Sequence, residues 1–191
     1  MDISDAKKLL GGEFSYVFDN IDPVVQDLKM EKNSKILDVG TGEGRMAITL
    51  ALNNYHVLTG ELESDESEYA KRDWLKSAKK VEVDHLISYT PFDAEQMPFE
   101  DGSFDIVFIA GSLHHIEDGQ AAYNESVRVI KTNGKICIFE PNLSAIGIIR
   151  ERKFPDHPDA VDPRDYNLVH KLSLEIKKTS FYDAYVFQKV E

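Results

Sequence analysis

The stretch Lys35-Ile36-Leu37-Asp38-Val39-Gly40-Thr41-Gly42-Glu43-Gly44-Arg45 constrains the fold more than any other part of the chain. Ile36 to Val39 reads as a short buried strand. Gly40, Gly42 and Gly44 follow at alternate positions, and Met46 to Leu52 then carries apolar residues at helical spacing. Strand, glycine turn and helix open an α/β unit of nucleotide-binding type. Glycine lets the backbone turn tightly and lets a ligand approach without a Cβ in the way. The helix N-terminus then offers free N–H groups to an electron-rich ligand group.

The glycine spacing separates ligand classes. A dinucleotide site needs G-x-G-x-x-G, and Arg45 stands where the third glycine belongs. The Gly-Lys-Ser/Thr of a P-loop is also missing. The pattern here is D-x-G-x-G-x-G, carried by Asp38, Gly40, Gly42 and Gly44. It resembles motif I of the class I S-adenosylmethionine (SAM) dependent methyltransferases of the type 11-like group. The resemblance implies that Asp38, Gly40, Thr41, Gly42 and Gly44 hold the ribose and methionine parts of SAM, with no phosphate to cradle.

Further segments match in the expected order. His56 to Leu62 reads as a second strand ending in an acid, Glu61, about twenty residues after the glycine loop. A carboxylate there suits two ribose hydroxyls because it accepts two hydrogen bonds at once. Glu61-Leu62-Glu63-Ser64 is similar to the family's acid-apolar-x-Ser, so Glu61 and Leu62 are cofactor contacts by resemblance, with Glu63 as the competing acid. Phe92-Asp93-Ala94-Glu95-Gln96-Met97-Pro98-Phe99 through Phe104-Asp105-Ile106-Val107 resembles the family's D-A-E-x-L-P-F-x-D-x-S-F-D-x-V. Asp93 is then placed to accept the adenine amino group, and Ala94 to leave room for the ring. The competing role for Asp93 is to cap the turn that follows it.

Asp105 to Ala110 reads as the fourth strand and runs into Leu113-His114-His115, similar to the family's x-x-L-H-H-x-x-D. Backbone carbonyls around Ala110 would face the methionine amino group. Adjacent side chains diverge, so His114 and His115 are not expected to form a metal pair, and no metal ligand is assigned. His115 is a candidate proton acceptor toward the substrate, and Tyr16 a candidate pocket-lining residue. Glu140, at the exit of the fifth strand (Lys135 to Asn142), points toward the same edge.

The chain has 191 residues, with 42% hydrophobic and 29% charged residues, an ordinary balance for one domain with a sizeable core. A net charge of −12 argues against an autonomous nucleic-acid binder. No apolar run reaches the roughly 18 residues of a membrane span. One cysteine, Cys137, excludes an internal disulfide framework and fits a cytoplasmic setting; flanked by isoleucines, it reads as core.

The expected fold is α/β: a doubly wound, mostly parallel seven-stranded sheet ending in an antiparallel hairpin, with Lys171 to Lys178 and Phe181 to Lys189 as its arms. Residues 1–191 are expected to form one domain. Residues 1–34 are a helical segment over the pocket, 35–142 the SAM-binding core, and 143–191 a variable segment and hairpin. Within 1–34, Asp22 is read as a helix cap with Pro23 at the first helical position. Glu66 to Lys80 is read as a charged helix, and Asn133-Gly134 as the end of the helix begun at Asp118. The segments after strands four and five are short, which implies an open acceptor side. The implied activity is transfer of a methyl group from SAM, yielding S-adenosylhomocysteine, to an acceptor more in keeping with a small molecule or protein than with nucleic acid. No Asn/Asp-Pro-Pro-Tyr/Phe follows strand four, which tilts the acceptor atom toward oxygen, carbon, sulfur or a small-molecule amine. The alternative is a SAM-binding regulatory or partner subunit without transferase activity, and a homo-oligomer or partner subunit is compatible with either.

Overall fold

The computed structural model describes residues 1–64, 73–152 and 154–190. Its centre is a sheet of seven strands: β1 (Ile36–Val39), β2 (Val57–Gly60), β3 (Ile87–Tyr89), β4 (Phe104–Ala110), β5 (Ile130–Pro141), β6 (Ser173–Lys178) and β7 (Tyr182–Gln188). The strand order is β3-β2-β1-β4-β5-β7-β6. β1 to β5 run parallel, and β7 pairs antiparallel with both β5 and β6. The order turns back between β1 and β4, which opens a crevice at the carboxyl ends of those strands.

Alternation along each strand supplies both faces of the core. Ile36, Val57, Ile106, Phe108, Cys137, Phe139 and Val186 pack on one side with α1 (Ile3–Leu10), α2 (Gly12–Asp27), α3 (Arg45–Leu52) and α4 (Trp74–Lys80). Leu37, Val39, Val107, Ile109, Ile136, Ile138 and Phe187 pack on the other with α5 (Gly119–Val129). The remaining helix, α6 (Leu143–Arg152), follows β5.

Several local expectations are corrected. Pro23 lies inside α2, which starts eleven residues earlier, at Gly12. Phe14, Val17, Phe18, Ile21, Val24 and Val25 recur at helical spacing and are all buried. That apolar stripe outweighs the hydrogen bond Pro23 cannot donate. α5 ends at Val129, before Asn133-Gly134, because β5 already begins at Ile130. Between Ile130, opposite Phe104, and Lys135, opposite Ile106, the strand bulges, with Asn133 in the left-handed region at φ 63°. Of the charged stretch expected as a helix, residues 74–80 form α4 with Asp73 as cap, while 65–72, Tyr69 included, lie outside the described residues.

The first segment is tied to both ends of the crevice. Asn20 on α2 accepts from the Ser180 hydroxyl (2.7 Å) and the Phe181 N–H (3.0 Å), fixing the turn between β6 and β7. Arg45, at the start of α3, reaches Glu13 at 2.8 Å. The crevice edge is also held by Gly60, where a Cβ would meet the Thr90 carbonyl oxygen at 2.0 Å and the Phe92 ring at 2.5 Å. Gly60→Ala is expected to push the segment after β3 away from β2, costing about 3 kcal/mol. Urea denaturation of the variant beside the parent chain measures this.

Candidate functional site

At the carboxyl end of β1 the chain enters the glycine loop. Gly40, Gly42 and Gly44 all have positive φ, and Gly40 donates its N–H to the Gly60 carbonyl at 2.9 Å. A Cβ on Gly40 would meet Ser112 at 2.8 Å, so glycine lets the two loops touch. Ser112 in turn donates its hydroxyl to the Val39 carbonyl at 2.9 Å. Beneath the loop Asp38 is 1% exposed. The Thr59 hydroxyl donates to Asp38 Oδ2 at 2.8 Å, and Thr41 and Thr59 hydroxyls lie 2.9 Å apart. Asp38 Oδ1 is buried and finds no partner among the described residues. Burial, reinforced by the charge of Glu61 and opposed by the Thr59 hydroxyl, pushes the Asp38 carboxyl up to about 7.

Glu61 follows the last residue of β2, and its carboxylate accepts the Gly42 N–H at 2.8 Å. Its carbonyl accepts the Phe92 N–H at 3.1 Å, which brings the Asp93-Ala94 turn alongside. Asp93 is exposed, and its Oδ1 accepts the Glu95 N–H at 2.8 Å, so it does cap its own turn. Residues of α5 that the sequence reading did not single out hold this turn in place. Arg128 donates to the Met97 and Phe99 carbonyls at 2.9 and 2.7 Å, and Glu125 accepts the Met97 N–H at 2.8 Å. Ala110 ends β4, and Gly111 donates its N–H to the Phe139 carbonyl at 2.8 Å. The four loop tips expected to meet, 40–44, 61–62, 92–94 and 110–112, are thus linked directly or through a neighbour.

A sequence-family model described as a methyltransferase domain matches residues 37–138, just over half of the chain. The chain belongs to the class I SAM-dependent methyltransferase family. It is 31% identical over 111 residues to 27-O-demethylrifamycin SV methyltransferase of Amycolatopsis mediterranei, covering 58% of this chain and 40% of that one. It is 32% identical over 129 residues to a ubiquinone/menaquinone biosynthesis C-methyltransferase of Rickettsia massiliae, covering 62% of this chain and 49% of that one. The chain therefore spans about half the length of the curated relatives it matches. A solved SAM-dependent methyltransferase of Aquifex aeolicus shares the fold, with a TM-score of 0.69 at 16% identity over the whole of both chains.

SAM is the cofactor of this family, and the methyltransferase loop has features that fit it. The glycine loop carries no cationic side chain for a phosphate beyond Arg45, which is paired with Glu13 and Glu43. A carboxylate, Glu61, stands beside the glycine loop, as the expectation for a ribose-binding acid requires. The orphaned Asp38 Oδ1 is a buried acceptor of the kind that a ligand's ammonium group or a bridging water satisfies. Thr41, expected as a contact, turns its hydroxyl inward to Thr59, and its side chain belongs to the loop's own support.

Beyond β4 the structure departs from the sequence reading. His114 and His115 do not diverge: their ring centroids lie 4.2 Å apart, and His157 comes within 5.1 Å of both. His157 arrives on the segment after α6, which is tied back to the end of β5 by the Val161 N–H to Glu140 bond at 3.3 Å, while His115 stays exposed. The His157 ring is buried, and burial is the main cause holding it below the ordinary imidazole value. Glu140, 2% exposed, accepts from His114 Nδ1 at 2.8 Å. Tyr16 is 43% exposed and meets the Phe181 ring edge-on at 5.0 Å.

The Asp38 proton leaves near pH 4 in the unfolded chain and near 7 in the fold. Its contribution to stability is complete below about pH 4 and falls as pH rises to about 7, by at most about 4 kcal/mol. Asp38→Asn abolishes this titration. The stability of the variant relative to the parent should rise between about pH 5 and about pH 8, as read from urea midpoints in the absence of SAM.

Proposed function

We propose that this protein transfers the methyl group of SAM to a small-molecule acceptor, at the crevice beyond β1 and β4. The observation that carries the proposal is the double linkage of Glu61: its carboxylate takes the Gly42 N–H and its carbonyl takes the Phe92 N–H. One residue thereby aligns the glycine loop with the turn bearing Asp93. Each carboxylate oxygen accepts more than one hydrogen bond, so Gly42 orients Glu61 without exhausting it. This supports Glu61 over Glu63 as the acid for the ribose hydroxyls. Asp93 and Ala94 are the residues proposed for the adenine edge, Gly40 to Gly44 for the cofactor's ribose and methionine parts, and Leu62 and Ala110 for the flanks.

Bound SAM supplies a methyl group already activated by its sulfonium; as the acceptor lone pair bonds to that carbon, the carbon–sulfur bond breaks and S-adenosylhomocysteine remains. The chain's own contribution is alignment. The glycine loop, fixed by Ser112 and Gly60, sets one partner. The segment carrying His157, with His115, bounds one side from which an acceptor would enter, and Tyr16, against Phe181, is the weaker candidate. A small acceptor is in keeping with the relatives named for a rifamycin and for quinones, which act on small molecules. The buried Cys137, whose thiol burial pushes up, fits a reducing, cytoplasmic setting better than a nucleophilic role. No helix among the described residues is long and apolar enough to cross a membrane.

Calorimetry with SAM, S-adenosylhomocysteine and NAD tests the cofactor assignment. Glu61→Ala and Asp93→Asn should each weaken SAM binding by about 1–3 kcal/mol. Asp93→Asn keeps an oxygen for the Glu95 N–H, so its loss reports on the ligand and not on the turn. Unchanged affinity in both variants would remove the assignment. Methyl transfer from labelled SAM to fractionated small-molecule extract tests the activity, and SAM affinity without transfer to any fraction would favour a non-catalytic SAM-binding subunit.

A further inference from the structure

Three imidazoles converge beside Glu140. His114 and His115 lie on the short 3-10 turn Leu113–His115 after β4, and His157 on the returning segment. Their candidate ligand atoms all lie within 4.8 Å of one another. Tetrahedral zinc, with bonds of about 2.0–2.1 Å, sets its nitrogens roughly 3.4 Å apart, so closing on an ion requires the rings to draw in by about 1 Å.

The hydrogen bonds around two of these rings select the nitrogen that keeps its lone pair. His114 donates from Nδ1 to Glu140 Oε2 at 2.8 Å, which leaves its Nε2 as the basic nitrogen. That Nε2 is buried without a partner among the described residues, on a side chain only 1% exposed. His157 is fixed the same way, its Nδ1 donating to the Pro158 carbonyl at 2.9 Å. A histidine whose far nitrogen donates to a carboxylate or a backbone carbonyl is the arrangement seen behind metal-bound imidazoles. A purely structural His114–Glu140 ion pair would instead leave an N–H at His114 Nε2 with nothing to accept it, in a buried setting where such groups cost free energy. Glu140 Oε1 also lacks a partner among the described residues, and a cation behind His114 would offset that charge.

We propose that His114, His115 and His157 form a binding site for a divalent transition-metal ion, zinc by its all-imidazole donor set, with Glu140 orienting His114. Three protein nitrogens leave a fourth position open, the pattern of reactive rather than structural zinc sites. His115 is exposed, so that position is reachable from solvent. The site lies two residues beyond Ser112, which touches the glycine loop. Resting on the methyltransferase reading, the ion's use is to bind an acceptor hydroxyl or thiol and favour its deprotonated form, the proton passing to solvent before the lone pair attacks the methyl carbon.

The test is made on the full chain, free of any affinity tag, stripped with a chelator and desalted. Cobalt chloride is titrated in and followed by visible absorption, then displaced with zinc chloride. One equivalent of cobalt should produce the intense bands of a four-coordinate site, and one equivalent of zinc should bleach them. Glu140→Gln should weaken cobalt binding by about 10- to 100-fold, and His157→Ala and His115→Ala by more. His56→Ala and His170→Ala should titrate like the parent chain. Absence of the bands, or bands unchanged in both His157→Ala and His115→Ala, overturns the site. S-adenosylhomocysteine affinity measured on the same samples verifies folding: if it persists while cobalt fails, the metal site alone is wrong, and if cobalt binds while it fails, the cofactor reading is wrong.

Discussion

The Thr59 hydroxyl is the interaction on which the cofactor face depends. It donates to Asp38 and lies within hydrogen-bonding distance of the Thr41 hydroxyl, joining the end of β1, the middle of β2 and the glycine loop in a buried chain of three side chains. With its single hydrogen committed to Asp38, Thr59 takes the Thr41 hydrogen as acceptor, so the order of donation is fixed when Asp38 is ionised. A buried carboxylate with one unpartnered oxygen is costly in isolation. The fold tolerates it where the glycine loop must remain receptive to a polar ligand, and charge is gained there at the expense of intrinsic stability.

How far the sequence disclosed this arrangement depended on the range of the interactions. β1 was legible because Ile36, Leu37 and Val39 form a buried run directly before three glycines, and the terminal hairpin because Leu172, Leu174 and Ile176 alternate with polar residues before Thr179-Ser180. Glu61 was legible from its distance to the loop. The start of α2 is masked in the sequence by Pro23, a usual first-turn residue, although the stripe from Phe14 to Val25 carries the helix through it. Thr59 and Arg128 carried no local mark. Thr59 read as an ordinary strand residue, and Arg128 as one more charge on an amphipathic helix, since their partners lie 21 and about 30 positions away. The meeting of His157 with His114 was beyond reach, because nothing near Phe154-Pro155-Asp156-His157 specifies where that segment folds back.

The two sides of the crevice are built by different means. The cofactor side is assembled from strand ends in register, so β1, β2 and β4 position it through main-chain pairing. The acceptor side is assembled from side chains on segments with little regular structure, pinned by bonds such as Val161 N–H to Glu140 at 3.3 Å and Tyr123 to Asn167 at 2.9 Å. Such segments tolerate replacement far better than a sheet does. On the proposed reading, the division sets a fixed donor site beside an adaptable acceptor wall, in keeping with a fold that serves many substrates.

Asn20 finds its partners at Ser180 and Phe181, some 160 positions along the chain. During synthesis the glycine loop and β1 to β4 are available long before residue 181 leaves the ribosome. At elongation rates of roughly 5–20 residues per second, Asn20 waits for about ten seconds or more for the turn that it fixes, although α3 and β1, on which α2 also packs, are made early. The stripe of α2, Phe14 and Phe18 included, shares its cluster with Ile48 of α3 and Ile36 of β1, so only its far edge depends on the last hairpin. The bond from Asn20 to the last hairpin therefore closes the longest hydrogen-bonded loop among the described residues and is among the last contacts that synthesis makes available.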